Sequence, residues 1–122
     1  MCVTIYVDPG MKLEGYRFGR IEVDGVPYHE DLWVCAGRVG SWWRREGHRV
    51  HPEDLSEVLE LGPEVVVIGT GFSGMLRVTE EAEALLSLRG VELRVAPTKE
   101  AVALYNELAP RKQAAALLHL TC

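Results

Sequence analysis

Side-chain amides are nearly absent from this chain: among 122 residues, Asn106 is the only asparagine and Gln113 the only glutamine. Lysine is scarce as well, three against ten arginines. Few thermolabile amides suit a thermophile, and a GC-rich genome favours some of the same substitutions; either bears on stability rather than role. Cysteine is limited to Cys2, Cys35 and Cys122, odd in number and far apart. That spacing fits neither a zinc site nor a disulfide framework, and leaves reduced, buried or terminal thiols as the expectation. Basic charge is in deficit, 13 residues against 18 acidic for a net charge of −5. Nucleic acid binding rests on phosphate neutralisation, so it is not expected here. The aromatics are scattered and form no stacking platform. No stretch approaches the roughly twenty apolar residues that cross a bilayer, and the segment Met1–Pro9 lacks a signal peptide's charged start and apolar core. The expectation is one domain over residues 1–122, cytoplasmic, large enough to bury a real core.

What is present is most pronounced at Val65-Val66-Val67-Ile68-Gly69-Thr70-Gly71-Phe72-Ser73-Gly74. A β-branched run opens into three glycines spaced as in the dinucleotide fingerprint. That fingerprint needs its loop to lead straight into a helix whose first amides meet the pyrophosphate. Here Met75-Leu76-Arg77-Val78 follows, and the first helix start is Thr79 with Glu80 and Glu81 behind it. Two carboxylates in a first turn repel a phosphate. Neither NAD nor FAD is expected, nor any other cofactor.

Strand and helix signals alternate cleanly from Val65 onward. Val65–Ile68 is a strand buried on both faces. Thr79 caps a helix closed by Gly90, Val91, Leu93 and Val95 form a strand, and Thr98 caps a second helix that Pro110 stops. Ala114–Cys122 is the last strand. Upstream, Val3–Val7 reads as a first strand, and Tyr16 to Val23 as a strand bent around Gly19. Asp24-Gly25 marks a hairpin, Val26–Tyr28 its return strand, and Leu32–Ala36 a further strand. Gly37–Val50 is irregular, and His51-Pro52-Glu53-Asp54 opens a short helix. The fold expected is α/β: a central, mixed but mostly parallel sheet with a βαβαβ C-terminal half and a β-rich N-terminal part.

In such sheets ligands bind beyond the carboxyl ends of the parallel strands. That edge would gather Gly69, Thr70, Gly71, Thr98 and His119, with Asn106 from the last helix, as a candidate ligand-binding pocket. The glycine loop reads equally as a tight turn or as an anion-accepting nest. His119 reads more simply as a hydrogen-bonded core residue than as an acid–base group, and Thr98 as a helix cap. Trp42, Trp43, Arg44 and Arg45 on the irregular segment make a candidate interaction surface, with one ring exposed. His48 and His51 lack a nearby ligating set, so no metal is expected. No catalytic residue can be named: there is no serine elbow, no HExxH and no CxxC.

The combination Ile68-Gly69-Thr70-Gly71, Thr98-x-x-Ala101-x-x-x-Tyr105-Asn106-x-Leu108 and Ala116-Leu117-Leu118-His119-Leu120-Thr121-Cys122 resembles a family of small α/β proteins that includes mitochondrial complex I assembly factor 3 and the adipogenesis-associated domain protein. Trp43-Arg44, His48 and Asp54-Leu55 resemble its middle segment. The resemblance implies a three-layer α/β fold in which one strand runs against the others. It supplies no activity. The function expected is a non-catalytic protein-binding or assembly module with a protein partner, or a homo-oligomer. The alternative is a small-anion-binding protein or enzyme using the glycine-loop edge.

Overall fold

The computed structural model describes residues 11–122; the strand expected over Val3–Val7 lies outside them. The chain first folds as a three-stranded antiparallel meander, β1 (Leu13–Arg17), β2 (Arg20–Val23) and β3 (Val26–Tyr28). The bend expected around Gly19 is a full reversal, so one anticipated strand is two. At the next turn Asp24 and Gly25 both take positive φ, 49° and 83°, as a two-residue type I′ hairpin requires.

Next come β4 (Leu32–Cys35) and β5 (Arg38–Ser41), joined by a second turn of two positive-φ residues, Ala36 and Gly37. Gly37–Val50 is therefore not irregular throughout. It holds β5 and the two-residue strand β6 (Arg49–Val50), which pairs in parallel with β8 (Arg77–Val78). A 3-10 turn over Pro52–Leu55 runs into the short helix α1 (Ser56–Leu59). Then follow β7 (Val65–Thr70), α2 (Glu80–Leu88), β9 (Glu92–Ala96), α3 (Thr98–Leu108) and β10 (Ala114–His119). The β-α-β-α-β order from Val65 is as expected, apart from the small β8 in the first crossover.

The main sheet has the order β5-β4-β10-β7-β9. The last strand lies at its centre, parallel to β7 and antiparallel to β4. β7 and β9 are parallel, β4 and β5 antiparallel. The expectation of a mostly parallel sheet is corrected here: the pairings are evenly divided, and the sheet is mixed. The cause is that Leu32–Cys35 docks antiparallel on β10, with Leu32 opposite Leu118 and Cys35 opposite Ala115.

Strand alternation sends successive side chains to opposite faces, and each face carries its own core. Ala114, Ala116, Leu118 and Leu120 join Val65, Val67, Leu32 and Val34 beneath α3 and the meander. Ala115 and Leu117 join Val66, Ile68, Trp33 and Cys35 beneath α1 and α2. The meander is fastened to α3 by Asn106, whose Oδ1 accepts the Leu13 amide at 3.0 Å and whose Nδ2 donates to the Leu13 carbonyl at 2.7 Å. Its side-chain amide stands in for a neighbouring strand's backbone. Asn106→Ala strands both Leu13 groups, which is expected to cost about 1–3 kcal/mol and to loosen the meander first. Urea unfolding measures the loss, and amide exchange at Leu13 locates it; unchanged protection there would contradict the assignment.

Candidate functional site

Because β7, β9 and β10 are parallel, Thr70, Ala96 and His119 end at one edge. The antiparallel β4 begins at that edge, and β5 ends there, since Leu32 pairs with both Leu118 and Ser41. Topology thus adds two segments to this edge: Asp31, just before β4, and Trp42–Arg44, just after β5.

The glycine loop is closed by the chain's own oxygens. The Phe72 amide donates to the Thr121 carbonyl, and the Ser73 and Met75 amides to Cys122 O. Gly74 bonds back to Gly71 O. The Gly71 amide donates to Thr98 Oγ1 at 2.8 Å, and that hydroxyl donates onward to the His119 carbonyl at 2.6 Å. Thr98 is thus the first helical residue and not the cap; Pro97 holds the cap position, with no side-chain cap bond. The hydroxyl expected to cap α3 instead ties it to β7 and β10. Two glycines permit this. A Cβ on Gly69 would stand 2.8 Å from Thr98 Oγ1, and Gly71, at φ +104°, admits Thr121 and Cys122 where a Cβ would lie. Gly69, Gly71 and Thr98 therefore come together with the backbone of His119. Thr70 is buried opposite His119 in register. Asn106 is not part of this group, being bonded to Leu13.

The His119 ring points to the other face, the α1/α2 side, where a buried polar cluster assembles. Asp31 Oδ2 lies 2.7 Å from His119 Nδ1 and accepts from Arg44 Nη2 at 2.8 Å. Asp31 Oδ1 accepts the Leu120 amide at 2.8 Å. The Arg44 guanidinium lies over Trp42, 4.4 Å from the ring centroid, and its Nε and Nη2 donate to Gly47 O. The Trp42 amide donates to the Asp31 carbonyl, and its indole N–H to the Asp54 carbonyl. The Asp54 carboxylate accepts the Arg45 and His51 amides. His48, an exposed residue, sets its ring against His119 at 5.6 Å between centroids. Burial alone would push the Asp31 carboxyl up. The hydrogen bonds from His119, the Leu120 amide and Arg44 outweigh that and hold it below its ordinary value.

The tetrad Trp42–Arg45 divides between core and surface. Trp42 is 5% exposed and Trp43 76%. The Arg44 side chain is buried against Asp31, whereas Arg45 is exposed and pairs with Glu53. Only Trp43 and Arg45 remain available to a partner. Asp31 escaped the sequence reading, and His48 entered it only as a histidine without a ligating set and as part of the family resemblance. Asp31 belongs to no spacing motif and acquires its role only from β4 docking on β10.

Together these features define a three-layered mixed α/β domain with a sealed glycine loop and an Asp–His–Arg cluster at the same sheet edge. Residues 13–119 match the family described as "Protein of unknown function (DUF498/DUF598)", and the chain belongs to that family. It is similar to a conserved hypothetical protein from Pyrococcus horikoshii OT3, at 32% identity over 92% of this chain and 100% of that one, TM-score 0.84. It is also similar to a protein from Bartonella henselae described as an outer membrane protein, at 27% identity over 93% and 98%, TM-score 0.80. A protein from Bordetella parapertussis matches at 26% identity over 89% and 94%, TM-score 0.75. Among the described residues no helix is long and apolar enough to cross a membrane.

Asp31→Asn removes the carboxylate paired with Arg44, which is expected to destabilise the fold by about 3–5 kcal/mol at neutral pH. The pH dependence has a definite sign. Because folding lowers the Asp31 value, its stabilisation is complete above the unfolded carboxylate value of about 4 and is lost as the pH falls through the folded one. Urea midpoints of the wild type should therefore converge on those of the variant in acid. A gap that persists unchanged at the lowest pH would contradict the assignment.

Proposed function

We propose that this protein is a non-catalytic docking module that binds a segment of a partner protein at the cleft beside the glycine loop. The observation that carries this is the Phe18–Phe72 pair. The rings meet edge to face at 5.9 Å, yet Phe18 is 59% and Phe72 62% exposed. Apolar rings held in place but left to solvent mark a binding surface more often than a structural need. They flank a cleft of about 520 Å³ that Arg17, Lys99 and Glu100 also line. Two cations against one carboxylate, with the first turn of α3 lacking a side-chain cap, favour a partner segment whose apolar anchor sits beside a carboxylate.

The resemblance to the family of complex I assembly factor 3 supports an assembly role of this kind. Trp43 and Arg45 offer a second exposed anchor in the same reading. The alternative, anion binding by the glycine loop itself, has less support, because Thr98, Thr121 and Cys122 already occupy the loop amides.

The test is Phe18→Ala combined with Phe72→Ala, with Lys99→Glu as a charge variant. Hot-spot aromatics contribute about 2 kcal/mol or more, so affinity for a captured partner should fall by about thirtyfold. The melting temperature should barely move, since both rings are largely exposed. Undiminished capture would overturn the proposal. Concentration-dependent self-association lost in the double variant would identify a second copy of the chain as the occupant in place of a different protein.

A further inference from the structure

We propose that two copies of this chain pair edge to edge through β9, antiparallel about a twofold axis at Leu93, and so join their five-stranded sheets into one. This pairing is separate from docking at the aromatic cleft and does not rest on it. β9 is an outermost strand of the main sheet, and among the described residues no strand pairs with its far side. The Glu92 amide donates to the Glu64 carbonyl at 3.0 Å. Alternate residues of a strand bond to a given neighbour. Glu92, Arg94 and Ala96 therefore turn their backbone groups to β7, and Leu93 and Val95 turn theirs outward. Over Glu92–Ala96 the strand has neither proline nor bulge, two devices that blunt an exposed edge. Val95 also leaves 47% of its surface to solvent. Such an edge is a template for another strand.

The side chains of β9 select a copy of itself as the occupant. A twofold axis that sets residue i opposite j also sets j opposite i. With Leu93 on the axis, Glu92 faces the partner's Arg94, and Arg94 faces the partner's Glu92. Leu93 faces its mate and Val95 faces the partner's Val91. By strand alternation Val91, Leu93 and Val95 share one face, the one on which Val91 and Leu93 pack against the α1/α2 core. The pairing thus gives an apolar stripe on one face and two opposite-charge pairs on the other, each a favourable cross-strand contact. Neighbouring registers fail. An axis at Glu92 opposes two carboxylates, one at Arg94 opposes two guanidinium groups, and one at Val95 brings Pro97 opposite Leu93. The backbone agrees with the Leu93 axis. Leu93 and its mate exchange two amide–carbonyl bonds, and each Val95 amide reaches the partner's Val91 carbonyl. The Val91 amide is already held by the Leu86 carbonyl at 2.9 Å. Within one chain Arg94 Nε lies 2.6 Å from Glu92 Oε2, so both charges already stand on one face. The other edge strand of the sheet, β5, has no carboxylate to answer its Arg38.

Charge exchange tests the register. Glu92→Arg and Arg94→Glu each set like charges opposite one another at two symmetric positions. Each variant's dimer dissociation constant should rise about tenfold or more over the wild type's. Both side chains lie at the surface, 36% and 47% exposed, so the melting temperature should hold. Mixed in equal amounts, the two variants should form a heterodimer, because each then answers the other's charges. Sedimentation velocity over about three decades of concentration reads all three states. Amide exchange at Leu93 and Val95 is the second readout, with protection that grows with concentration in the wild type and in the mixture. A wild type that stays monomeric throughout would overturn the proposal. So would a dimer that both charge variants leave intact, since the contact would then lie elsewhere. Protection of Leu93 and Val95 already complete in the monomer would mean that another segment of the chain covers this edge, and would overturn it as well. Phe18→Ala with Phe72→Ala should dimerise as the wild type does, which separates this pairing from docking at the aromatic cleft.

Discussion

The Asp31 carboxylate is the point through which this edge of the molecule is joined. It receives the ring of His119, the guanidinium of Arg44 and the amide of Leu120. These three groups come from the end of β10, the stretch after β5 and the chain beyond β10. A carboxylate satisfies several donors at once and repays its own burial only when it does so. Its two oxygens therefore determine where Trp42–Arg45 runs. That segment then stacks Arg44 over Trp42 and places His48 against His119. Asp54 secures the far end of the same stretch.

On the opposite face Thr98 has a comparable task. Its hydroxyl joins the start of α3 to β7 and β10, and the tail Thr121–Cys122 fills the glycine loop. A loop with a nucleotide-binding spacing is in this way a joint between elements. What remains unpaired lies elsewhere. The rings of Phe18 and Phe72 stand out to solvent, and two nitrogens of the buried cluster lack partners.

The C-terminal half was legible because local signals there coincide with tertiary demands. Val65–Ile68 is apolar throughout and lies in the sheet interior; Thr79 caps α2 by accepting the Ala82 amide. The Asp24-Gly25 turn was legible for the same reason, as positive φ leaves its mark in the residue types. The position of β4 was not legible. Leu32–Cys35 carries the same signature whether it extends a ribbon or enters the main sheet, and only long-range pairing with β10 decides. That choice also hid the site. With the place of β4 undecided by its own residues, nothing in the sequence brings Asp31 to His119, 88 residues away. Thr98 misled for a different reason. A threonine after a proline at a helix start has the right type for a cap, but close approach of α3 to β7, which Gly69 permits, offered its hydroxyl the Gly71 amide and the His119 carbonyl instead.

The central claim, that Asp31 orients His119 through Nδ1 and leaves Nε2 without a partner among the described residues, is tested most directly by the tautomer of that ring. Long-range nitrogen–proton correlation NMR on the uniformly labelled protein reads it at a pH where the ring is neutral. The account predicts a proton on Nδ1 and a bare Nε2, because two lone pairs facing each other at 2.7 Å would repel. A proton found on Nε2, with Nδ1 accepting from Arg44, would contradict it.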